Sequence, residues 1–232
     1  MEKKKDLLIN IQELEKIKKV IAQHSPLPQK TKIIAVTKTR SIEVIKTAIE
    51  NNLLIIGENK VQEAEKKLED YEHIKEKIEM HLIGHLQSNK VKKAVSFFDV
   101  IQTVDSIKIL NKINMQAEKI KKQQKVYLQI NIGEDNNKYG FSPAEALMAC
   151  SKIKEYKNIF LKGIMTILPQ GKSKVENKKM FIQTLKLQKK IQRKHEPLCS
   201  ETSMGMSGDY TEAIKSGATH IRIGSALFGK RQ

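Results

Sequence analysis

Few residue types in this chain can do chemistry, and they stand where strands should end. Lys38 closes the apolar run Lys32-Ile33-Ile34-Ala35-Val36-Thr37-Lys38. Its stem would be buried and its ammonium desolvated, which lowers a lysine pKa and makes the amine a nucleophile for carbonyl carbon. Near the other end lie Ser203-Met204-Gly205-Met206-Ser207-Gly208-Asp209 and Arg222-Ile223-Gly224-Ser225. Glycine and serine there let backbone N–H groups approach an anion, as in the phosphate sites of βα-barrels. A lysine facing such a site points to imine chemistry with an aldehyde or ketone. No Ser/His/Asp set is evident. Cys150 and Cys199 lack metal-ligand spacing, so no metal is expected and a reduced, cytoplasmic setting is.

The elements that must position these groups alternate. Apolar positions Leu7, Leu8, Ile11, Leu14, Ile17 and Val20 recur at helical spacing within Lys4–Ala22, and Ser25-Pro26 ends that run. Strands are expected over 32–38, 53–59, 80–85, 100–105, 126–132, 162–168, 198–203 and 221–223. Helices are expected after the first seven, with Ser41 capping one to about Asn51, others from about Lys60, around Asn89–Ser96, over Ser106–Lys122, from Ser142-Pro143, over Lys174–Lys194, and over Tyr210–Ser216 ending at Gly217. Eight βα units without an intervening linker predict an α/β (β/α)8 TIM barrel, one domain over 1–232 with an extra N-terminal helix.

Composition excludes several classes. The chain has 232 residues, 43 Lys+Arg and 26 Asp+Glu, a formal charge of +17. The lysines read as spread along helices beside glutamates, and aromatics make up only 5% with no Trp to stack on bases, so a specific nucleic-acid partner is not expected. No apolar run is long enough to span a bilayer, and Met1-Glu2-Lys3-Lys4-Lys5-Asp6 leads into no signal-type segment. Taken singly, several polar residues have ordinary roles. Asn59 reads as a helix cap, Glu58 and Asp105 as rim salt bridges, His81 and His85 as structural strand residues. Lys138 reads as a solvated loop lysine, and Met165 and Met204 as core or ring-packing residues.

Taken together, the motifs resemble the pyridoxal-phosphate homeostasis proteins, single-domain relatives of the alanine racemase barrel. The resemblance rests on Ala35-Val36-Thr37-Lys38, Gly57-Glu58-Asn59-Lys60-Val61-Gln62-Glu63, His81-Leu82-Ile83-Gly84-His85-Leu86-Gln87-Ser88-Asn89-Lys90 and Lys138-Tyr139-Gly140-Phe141. It continues through Leu161-Lys162-Gly163-Ile164-Met165-Thr166, Ser203-Met204-Gly205-Met206-Ser207 and Arg222-Ile223-Gly224-Ser225, in order along the chain. It implies that Lys38 holds pyridoxal 5′-phosphate as an aldimine, that Ser203, Gly224 and Ser225 hold the phosphate, and that Arg222 faces the pyridine nitrogen. Asn59 would line the cofactor edge and Met204 pack near the ring. An arginine does not give up its proton, so that nitrogen would stay unprotonated and the ring a poor electron sink. The sequence departs from the family pattern at Ser225, Lys60, Met80 and Tyr139, the last expected to alter the barrel mouth.

The implied function is intracellular vitamin B6 homeostasis by a cytoplasmic, monomeric carrier without robust catalysis, with possible transfer to apo-enzymes and contact with amino acids. A pyridoxal-phosphate-dependent amino-acid racemase is the alternative. That chemistry takes a second base from a further domain, for which a chain stopping at Gln232 offers no source. A basic nucleic-acid-binding protein is the second alternative.

Overall fold

The computed structural model describes residues 8–69, 72–135 and 138–229. Its strands are β1 Lys32–Val36, β2 Ile55–Glu58, β3 Glu79–Leu82, β4 Val100–Val104, β5 Gln124–Ile130, β6 Ile159–Thr166, β7 Glu201–Met206 and β8 His220–Ile223. They pair in parallel in chain order, and β8 returns to β1, closing an eight-stranded barrel. The helices are α1 Ile11–His24, α2 Ile42–Glu50, α3 Val61–Leu68, α4 Glu72–Lys75, α5 Val91–Phe97, α6 Ile107–Lys119, α7 Pro143–Lys152, α8 Lys174–Lys194, α9 Tyr210–Lys215 and α10 Ser225–Phe228. The expected (β/α)8 barrel and its leading helix are therefore present. The expected start of that helix at Lys4 lies outside the described residues, as does the chain end from Lys230.

Local chemistry explains the boundaries. The Asn10 side chain accepts from Glu13 N (3.0 Å) to start α1, and Leu14, Ile17 and Ile21 carry its buried stripe. Ser142 with Glu145 and Ser173 with Glu176 form capping boxes at α7 and α8. Ser41 occupies the cap position of α2 without a side-chain bond, and Lys60 rather than Asn59 is the cap residue of α3. The main core lies between the strands and the helical shell, where Ile56, Leu82, Ile101, Leu128 and Ile221 meet helical residues such as Ala64 and Leu110.

Three differences from the sequence reading bear on the site. A four-residue helix, α10, follows β8 where none was expected. The short α4 is a second addition. The third is β7, which begins at Glu201 and runs through Met206, so Ser203 and Met204 belong to a strand and only 207–209 form the turn. Small polar residues gave this segment the look of a loop. Pairing of Gly163, Ile164 and Met165 with Glu201, Thr202 and Ser203 makes it a strand.

Candidate functional site

The C-terminal ends of the strands form a mouth whose geometry follows from register. Ile34 of β1 lies beside Arg222 of β8, and Val36 beside Gly57 of β2. Alternate strand residues share a face, so Ile34 and Val36 lie on the barrel side on which Arg222 lies, and Lys38 stands in the turn two residues beyond Val36. Lys38 is half-buried, just past the end of β1. Asn59 and Gly224 are the first residues after β2 and β8, also half-buried.

Two glycines set the width of this mouth. A Cβ on Gly57 would stand 2.8 Å from Ile34 Cγ2 and 2.9 Å from Ile83 Cδ1. One on Gly84 would stand 2.2 Å from the Asn59 carbonyl oxygen and 2.7 Å from its Cα, a collision with backbone. The loop after β3 thus lies directly against Asn59, the residue expected to line the ligand.

The peptide groups on both sides of Lys38 are clamped from outside the barrel. Lys67 Nζ on α3 donates to the Thr37 carbonyl (2.8 Å) and to Glu58 Oε1 (2.6 Å), and the Thr37 hydroxyl donates to the same carboxylate oxygen (2.6 Å). Thr39 N–H donates to Glu63 of the same helix. Thr39 is held at a φ of 61°, a left-handed conformation that a β-branched residue adopts only under constraint. Glu58 is fully buried and the Lys67 side chain 7% exposed. Burial raises the Glu58 pKa, and the Lys67 charge and its hydrogen bond oppose that shift. Glu58 is therefore an ion-pair partner, as expected, though under α3 rather than on the rim. Lys67 and Glu63 were not singled out from sequence; their i,i+4 spacing after Asn59 was the available signal.

Arg222 is 4% exposed. Nη1 donates to Ser203 Oγ (2.8 Å) and Nη2 to the Thr166 carbonyl (2.7 Å). These partners occupy two of the five N–H groups of a guanidinium. No carboxylate touches it among the described residues. Burial pushes its pKa down to about 10, opposed by the charge of Asp209. Asp209 is itself raised by burial, and its Oδ1 accepts from Met206 N–H (2.6 Å).

The two β7 residues expected at the ligand have other partners. Ser203 is fully buried, and its hydroxyl accepts from Arg222 and donates to Gln102 Oε1 (2.7 Å), so it braces the arginine instead of presenting a free hydroxyl to a phosphate. Met204 faces the other way, fully buried in the core between strands and helices. The side chain that does join the two loops is Ser207, whose Oγ accepts from Ala226 N–H (3.3 Å) beside Gly224 and the exposed Ser225. Ser207 stood in the sequence motif without an assigned role.

The rim is tied by polar contacts. His85 Nδ1 lies 3.0 Å from Asp105 Oδ2, the pairing expected for Asp105. Tyr139, a departure from the family pattern, stacks on His85 with ring centroids 3.8 Å apart. Lys138 is not a solvated lysine: its Nζ donates to the Leu168 carbonyl (2.7 Å) and joins the loops after β5 and β6. A cavity of about 630 Å3 lined by Asn59, Lys60, Gly84, His85 and Lys90 opens beside the mouth. A larger one of about 730 Å3, lined by residues including Lys32, Ile55 and Glu79, lies where the strands begin, away from Lys38.

Both cysteines are free and buried, and burial pushes the Cys150 thiol up to about 12. No cluster of metal-ligating side chains occurs among the described residues. No helix among them is long and apolar enough to cross a membrane. The basic charge is less evenly mixed than the sequence suggested: α8 carries eight Lys and Arg against Glu176 alone.

A family model described as the N-terminal domain of alanine racemase matches residues 9–232. A pyridoxal phosphate homeostasis protein of Synechocystis sp. is 38% identical over 205 residues, covering 88% of this chain and 94% of that protein. PipY of Synechococcus elongatus PCC7942, solved with pyridoxal phosphate bound, is 32% identical with a TM-score of 0.80, covering 92% of this chain and 100% of its own. Alanine racemase of Clostridium difficile 630 shares the fold at 18% identity, with a TM-score of 0.77 over 97% of this chain and 57% of that one.

Proposed function

Since the chain belongs to the pyridoxal phosphate homeostasis proteins, we propose that it binds pyridoxal 5′-phosphate at the barrel mouth and acts in vitamin B6 homeostasis as a carrier, without robust turnover. The observation that carries this reading is Arg222. A buried guanidinium without a contacting carboxylate, paired with the strand that leads to Lys38, suits a ligand that has both a hydrogen-bond acceptor and an aldehyde. The residues fit the group. Lys38 would supply the amine, Asn59 the edge, Arg222 a donor for the ring nitrogen, and Gly224 and Ser225 the phosphate end. Ser207 joins them there, while Ser203 supports Arg222 and Met204 stays in the core.

When bound, pyridoxal phosphate supplies an aldehyde that condenses with the Lys38 amine and releases water. This chain's own residues fix that amine through the α3 clamp and keep the arginine proton at the ring nitrogen, which disfavours carbanion chemistry. We place this work in the cytoplasm, performed by a monomer of one barrel domain that passes the cofactor to apo-enzymes.

The test is an absorbance spectrum of the purified protein, followed by borohydride reduction and peptide mapping. A yellow chromophore fixed on the peptide containing Lys38, and lost in Lys38→Ala, is expected. A protein that takes up no added pyridoxal phosphate, or that is labelled elsewhere, overturns the reading. Turnover of alanine or another amino acid would replace the carrier by a racemase.

A further inference from the structure

The interior of a (β/α)8 barrel is ordinarily filled by branched apolar side chains. Below Arg222 this barrel instead carries Ser203 and Gln102, both fully buried, and His81, 1% exposed. Their hydrogen bonds run in a fixed order. Arg222 Nη1 donates to Ser203 Oγ at 2.8 Å, and an arginine cannot accept, so the hydroxyl keeps its proton for Gln102 Oε1 at 2.7 Å. The amide is thereby oriented, and its Nε2 donates to His81 Nδ1 at 2.7 Å. An imidazole accepting at Nδ1 carries its proton on Nε2, which makes no hydrogen bond among the described residues but lies 3.3 Å from Glu79 Oε2, a carboxylate that attracts that proton. Glu79 is the first residue of β3, so the carboxylate facing His81 stands where the strands begin. There its other oxygen holds Lys125 Nζ at 3.0 Å.

We propose that Gln102 and His81 are positioning residues for the mouth: with Ser203 they form a one-way hydrogen-bond chain from the Arg222 guanidinium to the His81 imidazole, whose far nitrogen faces the Glu79 carboxylate at the other end of the barrel. Each neutral link turns its negative end toward the arginine, and chains of this kind strengthen bond by bond. The guanidinium is held in one pose without a contacting carboxylate, so its charge remains available to a ligand. Only the identity of that ligand rests on the function proposed above.

The chain is tested in apo protein labelled with 15N at histidine and arginine. His81 is expected as the neutral tautomer protonated on Nε2, and Arg222 with separate, slowly exchanging Nη signals. Gln102→Met cuts the chain in the middle, and Glu79→Gln removes the charge at its half-buried end while keeping an acceptor, so a variant remains if the first does not fold. Either change should broaden or average the Arg222 signals. Gln102→Met should also weaken pyridoxal phosphate binding about tenfold, the usual size of a lost supporting hydrogen bond. A proton on Nδ1 of His81, or Arg222 signals unmoved by the variants, overturns the proposal. A protein that binds no pyridoxal phosphate but shows these spectra refutes the ligand and leaves the chain standing.

Discussion

Two buried cations serve the β1 end of the barrel from opposite sides of its wall, and they are treated differently. Outside, Lys67 meets Glu58 at 2.6 Å, and both are engaged by Thr37. Inside, Arg222 meets a hydroxyl and a carbonyl and no carboxylate among the described residues, and the first carboxylate along its network is Glu79, beyond three intervening side chains. A charge cancelled by its neighbour can only hold structure together. A charge left uncancelled is expensive unless a ligand completes it. The contrast separates scaffold from site without reference to any relative.

The sharpest way to break that comparison is Lys67→Met. It leaves Glu58 buried without its counterion and should cost about 3–5 kcal/mol, read as a large fall in Tm of the apo protein. Arg222→Met should behave in the opposite sense. The apo protein should lose only about 1–2 kcal/mol for two unpartnered acceptors, while pyridoxal phosphate affinity falls about 10- to 100-fold with the charged hydrogen bond. Equal stability losses in the two variants would erase the distinction. Gly84→Ala comes next: its Cβ would push on the Asn59 backbone, and a loss of about 1–3 kcal/mol with weaker binding is expected from such crowding.

The smallest expected effect concerns pH. Glu79 has a folded pKa below its ordinary 4.5, so its contribution is present above that value and fades as pH falls below it. The Tm gap between the wild type and Glu79→Gln should therefore narrow as pH drops below about 4.5. Glu58 has the opposite sign: its raised pKa means that its contribution is full below 4.5 and declines as pH rises through the folded value. A gap that widens on acidification would contradict the direction assigned to Glu79.

How far the sequence could be read depended on what each residue interacts with. The α8 span over Lys174–Lys194 was legible to the residue because its capping box and apolar stripe are local. Strand β7 was misplaced by three residues because its small polar side chains read as a turn, and only pairing with β6 makes them extended. Ser203 was given a phosphate from its motif. That its hydroxyl belongs to Arg222 depends on β8 lying next to β7, a relation between residues nineteen apart.

By itself the sequence determined the barrel, from alternating periods of apolar residues, and marked Lys38 and Arg222, from charged side chains on apolar strands. Only tertiary structure decided which charges are cancelled. Whether Lys67 finds Glu58, or Gln102 joins Ser203 to His81, is set by strand register and the direction a side chain takes from its strand. Hydrogen bonds act over about 3 Å, a scale that spacing along a chain does not resolve.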